Sequence, residues 1–462
     1  MFRKPKHHKI VIMGAGMAGL GAALKLTELG CKDFVILEAQ EEIGGRIKTI
    51  TVDGRPLDIG AQWLHGKDNP LYHLAVKHDL LSEKMSEEGL GMFIRNDGVM
   101  FDDFLVKRVD FEVGRILEEC QTFVDKIEHP VSVGDFMEQK FLEYLDACDD
   151  TNDLRQMKLE LFDWHMRFQV IDNSCQNMRR LSAKYWGSYV CLDDTAHYNL
   201  KYGYDSLINV MADSLPKERI HLDCEVTEIL YGEEHNGVKV ICSNNQIFYC
   251  DHLIITASIG VLKEFAIIDP PLPTLLQTAI DNMGFYGIGK IYLIFDEKWW
   301  GNWKGFQFMW KSDTSYEEGE EWIRHVTGFD EVFNQPKVLI GWVGGEGVKE
   351  MESLTEDEVG NTCINVLRNF LPDFEIPQPN NVIRTKWFSN PWVKGSYCHI
   401  TPECDDPHSG MDKMSEPVFV RGVPRIILAG EAVHPSHYST THGAFESGQE
   451  QAAVLHKYII RE

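Results

Sequence analysis

Residues 9–46 read KIVIMGAGMAGLGAALKLTELGCKDFVILEAQEEIGGR, and this stretch decides the fold. The run from Lys9 to Met13 is short and apolar, as a buried strand is. Gly14-Ala15-Gly16-Met17-Ala18-Gly19 follows as a glycine turn. Leu20 to Leu29 then reads as a helix that Gly30 stops. A second strand from Phe34 to Leu37 ends at Glu38, nineteen residues beyond Gly19. Strand, turn, helix, strand and acid in this order match the dinucleotide fingerprint. Gly14 permits the turn, Gly16 admits a pyrophosphate, and Gly19 lets helix and strand approach. The helix N-terminus would hold the pyrophosphate, and Glu38 would accept hydrogen bonds from ribose hydroxyls. A signal-peptide reading of the basic start and apolar run leaves the glycine spacing and Glu38 unexplained.

The chain outside this stretch narrows the class. Its 462 residues suggest roughly two to four domains. At 44% hydrophobic and 25% charged, the composition is that of a globular protein. No apolar segment approaches the roughly 20 residues that cross a bilayer, so no membrane anchor is expected. Eleven cysteines, with no CxxC pair and no clustering with histidine, read as reduced thiols and not as a metal site. The ending Tyr458-Ile459-Ile460-Arg461-Glu462 is not a peroxisomal signal, and a cytoplasmic address, with nuclear entry open, is expected. A net charge of −26 disfavours nucleic acid and favours a cationic ligand.

Beyond the opening unit, Gly44-Gly45-Arg46 is foreign to a nicotinamide fingerprint and could bring a guanidinium to the phosphates. A β-like stretch from Ile47 to Ile59 turns at Asp53-Gly54. A loop with Gln62, Trp63, His65 and Gly66 follows. From Leu71 to Arg180 the spacing is helical and acidic. Tyr202 to Leu215 opens with another helix. Ile220 to Leu230, Val238 to Ser243 and Gln246 to Tyr249 read as a meander, and His252 to Ala257 as a strand returning to the nucleotide-binding sheet. Tyr286 to Phe295, Val338 to Val343 and Val382 to Trp387 suggest a mixed sheet backed by the earlier helices. Arg425 to Glu431 is a strand ending in an acid, and a helix runs from His442 to about Ile460. The class is α/β, a nucleotide-binding sheet with a second region built on a mixed sheet.

The fingerprint, Gly44-Gly45-Arg46, Gln62-Trp63-Leu64-His65-Gly66, Gly289-Lys290-Ile291, Ala429-Gly430-Glu431-Ala432 and Tyr438-Ser439-Thr440-Thr441-His442-Gly443-Ala444 together resemble the flavin-dependent amine oxidases, polyamine oxidase branch. The resemblance spans essentially the whole chain and implies a Rossmann-like FAD-binding domain assembled from 1–70, 195–270 and 400–462, with an α+β substrate-binding domain from 71–194 and 271–399. It implies FAD contacted by Gly14, Ala15, Gly16, Gly19, Glu38, Ala39, Gly45, Arg46, Gln62, Trp63, Val226, Gly430, Glu431, Thr440 and Thr441. It implies that Lys290 holds a water near flavin N5 and that His65 lies near the substrate amine. Tyr397 and Trp387 would line the substrate cavity, although Trp387 also reads as core filling. Thr440 stands where monoamine oxidases carry a second cage aromatic. Ser396 stands where they carry the flavin-linking cysteine, so the FAD is expected to be non-covalent. Ser188 falls where some members have a glutamate, with Asp193 and Asp194 as nearby alternatives.

The implied reaction oxidises a secondary amine C–N bond of spermine, spermidine or their N1-acetyl forms. Oxygen is the acceptor, and peroxide, an aldehyde and a shorter amine are released. The reacting nitrogen must be neutral, because an ammonium has no lone pair to stabilise an iminium. Another flavin amine or amino-acid oxidase, or a flavin-bound interaction protein, are the alternatives. The long helical hairpin and extra helical domain of the related histone demethylases are not visible, and no obligate protein partner is evident.

Overall fold

The computed structural model describes residues 6–192, 196–265, 267–316 and 319–460. At its centre strand Lys6–Met13 lies parallel between Phe34–Leu37 and Ile247–Ile255, within a nine-stranded sheet. Ile10, Val11 and Ile12 are fully buried, as expected of a parallel strand covered on both faces. Helix Met17–Glu28 begins a turn before the expected Leu20, because Gly16 already serves as its N-cap. Helix Thr441–Ile459 packs along it. The crossing is close because a Cβ on Gly448 would meet the Ala18 carbonyl oxygen at 2.1 Å.

Several boundaries differ from the sequence reading. The stretch from Ile220 to Leu230 is broken. Ile220–His221 pairs with Phe34–Leu37 at one edge of the sheet, while Val226–Leu230 pairs with Val238–Cys242 on the other side. The two expected strands between Gln246 and Ala257 are one strand, Ile247–Ile255. Its first half pairs antiparallel with Val238–Cys242, and its last residues pair parallel with Val423–Leu428. No breaker separates the halves, so one strand serves both the meander and the parallel core.

A six-stranded mixed sheet forms the second layer, ordered Asn381–Arg384, Gly289–Ile294, Val338–Val343, Val326–Glu331, Gly305–Met309 and Met92–Arg95. Its last pair is parallel. Helices Asp103–Gln121, Val133–Asp146 and Asn152–Asp172 build the adjoining helical lobe. Met92–Arg95 and Leu81–Met85 interrupt the expected helical span. Four or five residues inside an acidic helical background are too few to display a period of two. Residues Leu64–His65 form a small sheet with His197–Leu200 and Leu81–Met85, carrying His65 to the interface of the two layers.

Candidate active site

A cavity of about 870 Å³ runs from the opening glycine turn to the mixed sheet, near the top of the usual range for one ligand. Two roles separate among the glycines. A Cβ on Gly19 would lie 2.0 Å from the Gly14 oxygen, so Gly19 answers a packing demand and does not line the cavity. Gly16 is different: a Cβ there meets nothing nearer than the Gly44 oxygen at 3.8 Å, and the space it leaves belongs to the cavity. Gly16 caps its helix without any side-chain hydrogen bond, which leaves first-turn N–H groups for an anion. This cradle fits a dinucleotide pyrophosphate.

Glu38 is buried beneath the cradle. Its Oε2 accepts from the Ala15 amide at 2.7 Å and its Oε1 from the Gln40 amide at 3.0 Å. Desolvation raises its pKa, and those two amides hold the rise back. Ala15 is fully buried and contributes through that amide, not as a cavity wall. Ala39 and Val226 line the same end.

Arg46 departs from expectation. Its Nη1 donates to Glu431 Oε1 and to the Ser396 carbonyl, each at 2.8 Å, so the guanidinium is committed to the chain and is not simply offered to phosphates. Glu431 Oε2 in turn accepts from the amides of Cys398 and Ser439. This network ties the opening unit, the mixed-sheet layer and the loop before the last helix together. Arg46, Glu431, Gly45 and Gly430 all line the cavity midway along it.

At the far end, strand Gly289–Ile294 places Lys290 against the Gln62 loop. Lys290 Nζ donates to the carbonyls of Asp58 at 3.0 Å and Gly60 at 2.6 Å and to Gln62 Oε1 at 2.5 Å, and stands 4.7 Å from the centre of the Trp342 ring. Three acceptors match the three donors of an ammonium. The expected water at this amine must therefore displace one of them. Burial nevertheless pushes the ammonium down to about 7, opposed by the charges of Asp58 and Glu88, so the amine loses a proton readily. His65 is pushed down to about 4 by desolvation and then by His197, leaving a neutral imidazole at pH 7. Trp63 stacks between His197 and Trp342.

Tyr397 and Trp387 line this chamber, their polar ends satisfied by the carbonyls of Ile171 and Ile59 at 2.7 and 2.9 Å. Both therefore offer apolar ring surface, and Trp387 is not core filling. Thr440 and Thr441 line it as well, but their hydroxyls are already engaged. Thr440 Oγ1 caps the last helix at the Gly443 amide, and Thr441 Oγ1 meets the Tyr204 hydroxyl at 2.6 Å. Ser188 does not reach the cavity: its Oγ donates to the Tyr185 carbonyl, while Trp186 and Tyr189 form the wall. Asp193 and Asp194 lie outside the described residues.

Two acids that the sequence did not single out face the chamber. Glu88 and Asp172 both line the chamber. Glu88 Oε2 is shielded and has no hydrogen-bond partner among the described residues. Burial, then Asp330 and Asp172, push its carboxyl up to about 8 against the pull of Lys290. Asp172, at the end of helix Asn152–Asp172, is an exposed residue that also lines the cavity, and desolvation raises it to about 6. No sequence signal marks either among 71 acidic residues.

The flavin containing amine oxidoreductase family model matches residues 17–456, nearly the whole chain. The chain belongs to the flavin-containing amine oxidoreductases. Among relatives of this oxidoreductase, the human peroxisomal N(1)-acetyl-spermine/spermidine oxidase is 28% identical, covering 98% of this chain and 95% of that one. The Arabidopsis thaliana probable polyamine oxidase 4 is 29% identical over 98% of this chain and 87% of its own. An Arabidopsis lysine-specific histone demethylase 1 homolog 2 is also 29% identical, but the oxidoreductase matches only 58% of its length. Wild-type putrescine oxidase bound to putrescine shares the fold, with a TM-score of 0.72 at 19% identity, covering 99% of this chain and all of that one. Among the described residues no helix is long and apolar enough to cross a membrane.

Proposed function

We propose that this amine oxidoreductase binds FAD non-covalently and oxidises a polyamine at a secondary C–N bond, with oxygen as the final acceptor. One observation carries the substrate class: the carboxyls of Glu88 and Asp172, without partners among the described residues, stand in a chamber walled by Trp63, Trp342, Trp387 and Tyr397. A monoamine has one nitrogen and needs no second anionic position. A polyamine keeps ammonium groups away from its reacting nitrogen, and these gain from a buried carboxylate. The matching relatives named for acetylated and free polyamines support the same class. For the non-covalent mode, Ser396 is occupied in bonding the Ile288 backbone, and burial holds the Cys398 thiol well above its ordinary pKa. A protonated thiol is a poor nucleophile. Eleven free cysteines support a reducing, cytoplasmic setting.

The bound flavin supplies the two-electron acceptor. The chain supplies everything else. Asp172, ionised at neutral pH, attracts a distal ammonium, and Glu88 ionises as a cation comes to rest beside it. The aromatic faces of Tyr397 and Trp387 exclude water and hold the carbon chain. His65, neutral at pH 7, can take the proton that the reacting ammonium must lose. Lys290, with its pKa near neutrality, can exchange a proton with a water entering its acceptor shell. A peroxide-coupled screen across spermine, spermidine, their N1-acetyl forms and simple monoamines tests the reading. Peroxide from polyamines and little from monoamines is expected, and preferential monoamine or amino-acid turnover contradicts it.

A further inference from the structure

Outside the cavity, one ring nitrogen each of His434 and His437 and a Glu446 oxygen lie within 4.8 Å of one another, a spacing that suits a metal ion. The hydrogen bonds argue against that use. His434 Nδ1 accepts from the amides of His437 at 2.8 Å and Ser436 at 3.3 Å, so it bears no proton, and Nε2 must carry it. A metal-bound histidine has the opposite arrangement, with its second nitrogen donating. The cluster is instead built for protons. His437 Nδ1 lies 2.7 Å from Glu446 Oε2, and the protonated Nε2 of His434 lies 3.4 Å from the same oxygen.

From this half-buried cluster the imidazoles continue inward. The His437 ring centre is 5.0 Å from that of His442, and His442 is 6.5 Å from His65, which lines the cavity. His442 has no exposed surface, and neither ring nitrogen has a hydrogen-bond partner among the described residues. Every neutral imidazole carries one donor and one acceptor, so burying both unpaired has a cost that simple packing does not offset. Phenylalanine or leucine would fill that space without it.

We propose that His65, His442 and His437 form a proton relay from the amine site to Glu446. The inference rests on the amine-oxidising reading above. In the step it serves, the N–H bond of the reacting ammonium breaks and its electron pair stays on nitrogen. The proton passes to the unprotonated nitrogen of His65, then through His442 to His437, and leaves from Glu446. The ring centres of His65 and His442 are 6.5 Å apart with no hydrogen bond between them, so this step requires a water admitted between the rings. The groups acting on His442 are His437, His65 and His434, all imidazoles, while its position in the first turn of helix Thr441–Ile459 adds the positive helix end. Glu446 acts on His434, and Glu446 and His437 act on Glu450. His197, influenced by Glu87, faces His65. Burial and every inner neighbour thus disfavour an imidazolium on His65 and His442, so a proton crosses these rings without resting there and is held only at the outer cluster beside Glu446.

The test uses His442→Ala and His437→Gln in the flavin-loaded protein, with two readouts. Stopped-flow mixing with spermine without oxygen, followed by a pH-indicator dye, compares proton release with flavin bleaching. Nitrogen-15 histidine spectra, taken with no amine present, follow exchange of the His442 ring proton with water in wild type and in His437→Gln. Expected are proton release lagging bleaching at least tenfold in both variants, recovery of His442→Ala by added imidazole, and ring-proton exchange slowed at least tenfold by His437→Gln. Release in step with bleaching in both variants, or unchanged exchange in His437→Gln, overturns the relay. If wild type is bleached by no amine, the proposed function fails, and the exchange arm alone decides the relay.

Discussion

Individual side chains show both the reach and the limit of the sequence. Glu38 was legible because spacing from a glycine turn fixes its place in space. Lys290 and His65 were legible only because short motifs resemble those of a family. Glu88 and Asp172 were not, since an acid that is desolvated in a chamber wall has the same letter as one solvated on a helix. Lys290→Met removes a buried amine and its three bonds to Asp58, Gly60 and Gln62. It is expected to slow flavin reduction or reoxidation by roughly 10²-fold with the flavin retained, the size of a lost acid–base group. Rapid-mixing absorbance measures both steps, and unchanged rates return Lys290 to a structural role. Glu88→Gln is expected to raise KM for polyamines about tenfold or more, the worth of one charge-assisted contact, while monoamine KM stays within about twofold. In wild type, polyamine binding tightens as pH rises through about 8, where the Glu88 carboxyl ionises, and the variant lacks that rise.

Elements were read well where apolar periods were long and poorly where they were short or shared. The strand from Arg425 and the final helix appeared close to their expected places. Met92–Arg95 was lost in its helical surroundings, and Ile247–Ile255 was divided because a strand pairing differently at each end shows no single pattern. The crossing of helices Met17–Glu28 and Thr441–Ile459 was beyond reach, since glycine in a helix reads only as a weak helix former. Gly448→Ala places a methyl group 2.1 Å from the Ala18 carbonyl oxygen, a backbone atom that cannot rotate away. A loss of about 1–3 kcal/mol is expected, as for other overpacked cores, with weaker flavin retention because the first helix carries the cradle. Thermal melting and flavin release on dilution measure both; an unchanged melt would mean that the helices separate freely.

For the whole molecule, the α/β class and the division into a dinucleotide-binding sheet and a mixed sheet were present in the order of motifs. How loops from distant segments converge on one chamber was not, because nothing local encodes a bond such as Arg46 to Glu431 across 385 positions. The chamber also sets a pH dependence of stability. The Glu88 carboxyl titrates near 8 in the folded protein, against an ordinary value of 4.5, so between those pH values the folded state holds a proton that the unfolded state has lost. Stability from this group therefore falls as pH rises across that window. Relative to wild type, Glu88→Gln is expected to gain melting temperature steadily from pH 5 to pH 8. A pH-independent gap would mean that the carboxyl is ionised in the folded state throughout.

The central claim is that an acid-lined flavin site oxidises polyamines. It is tested most directly by mixing the purified flavin-loaded protein with spermine, N1-acetylspermine and a simple monoamine in the absence of oxygen and following the flavin's visible absorbance. Rapid bleaching by one or both polyamines, with the monoamine at least tenfold slower, is the predicted result; a flavin that stays oxidised with both polyamines would contradict it.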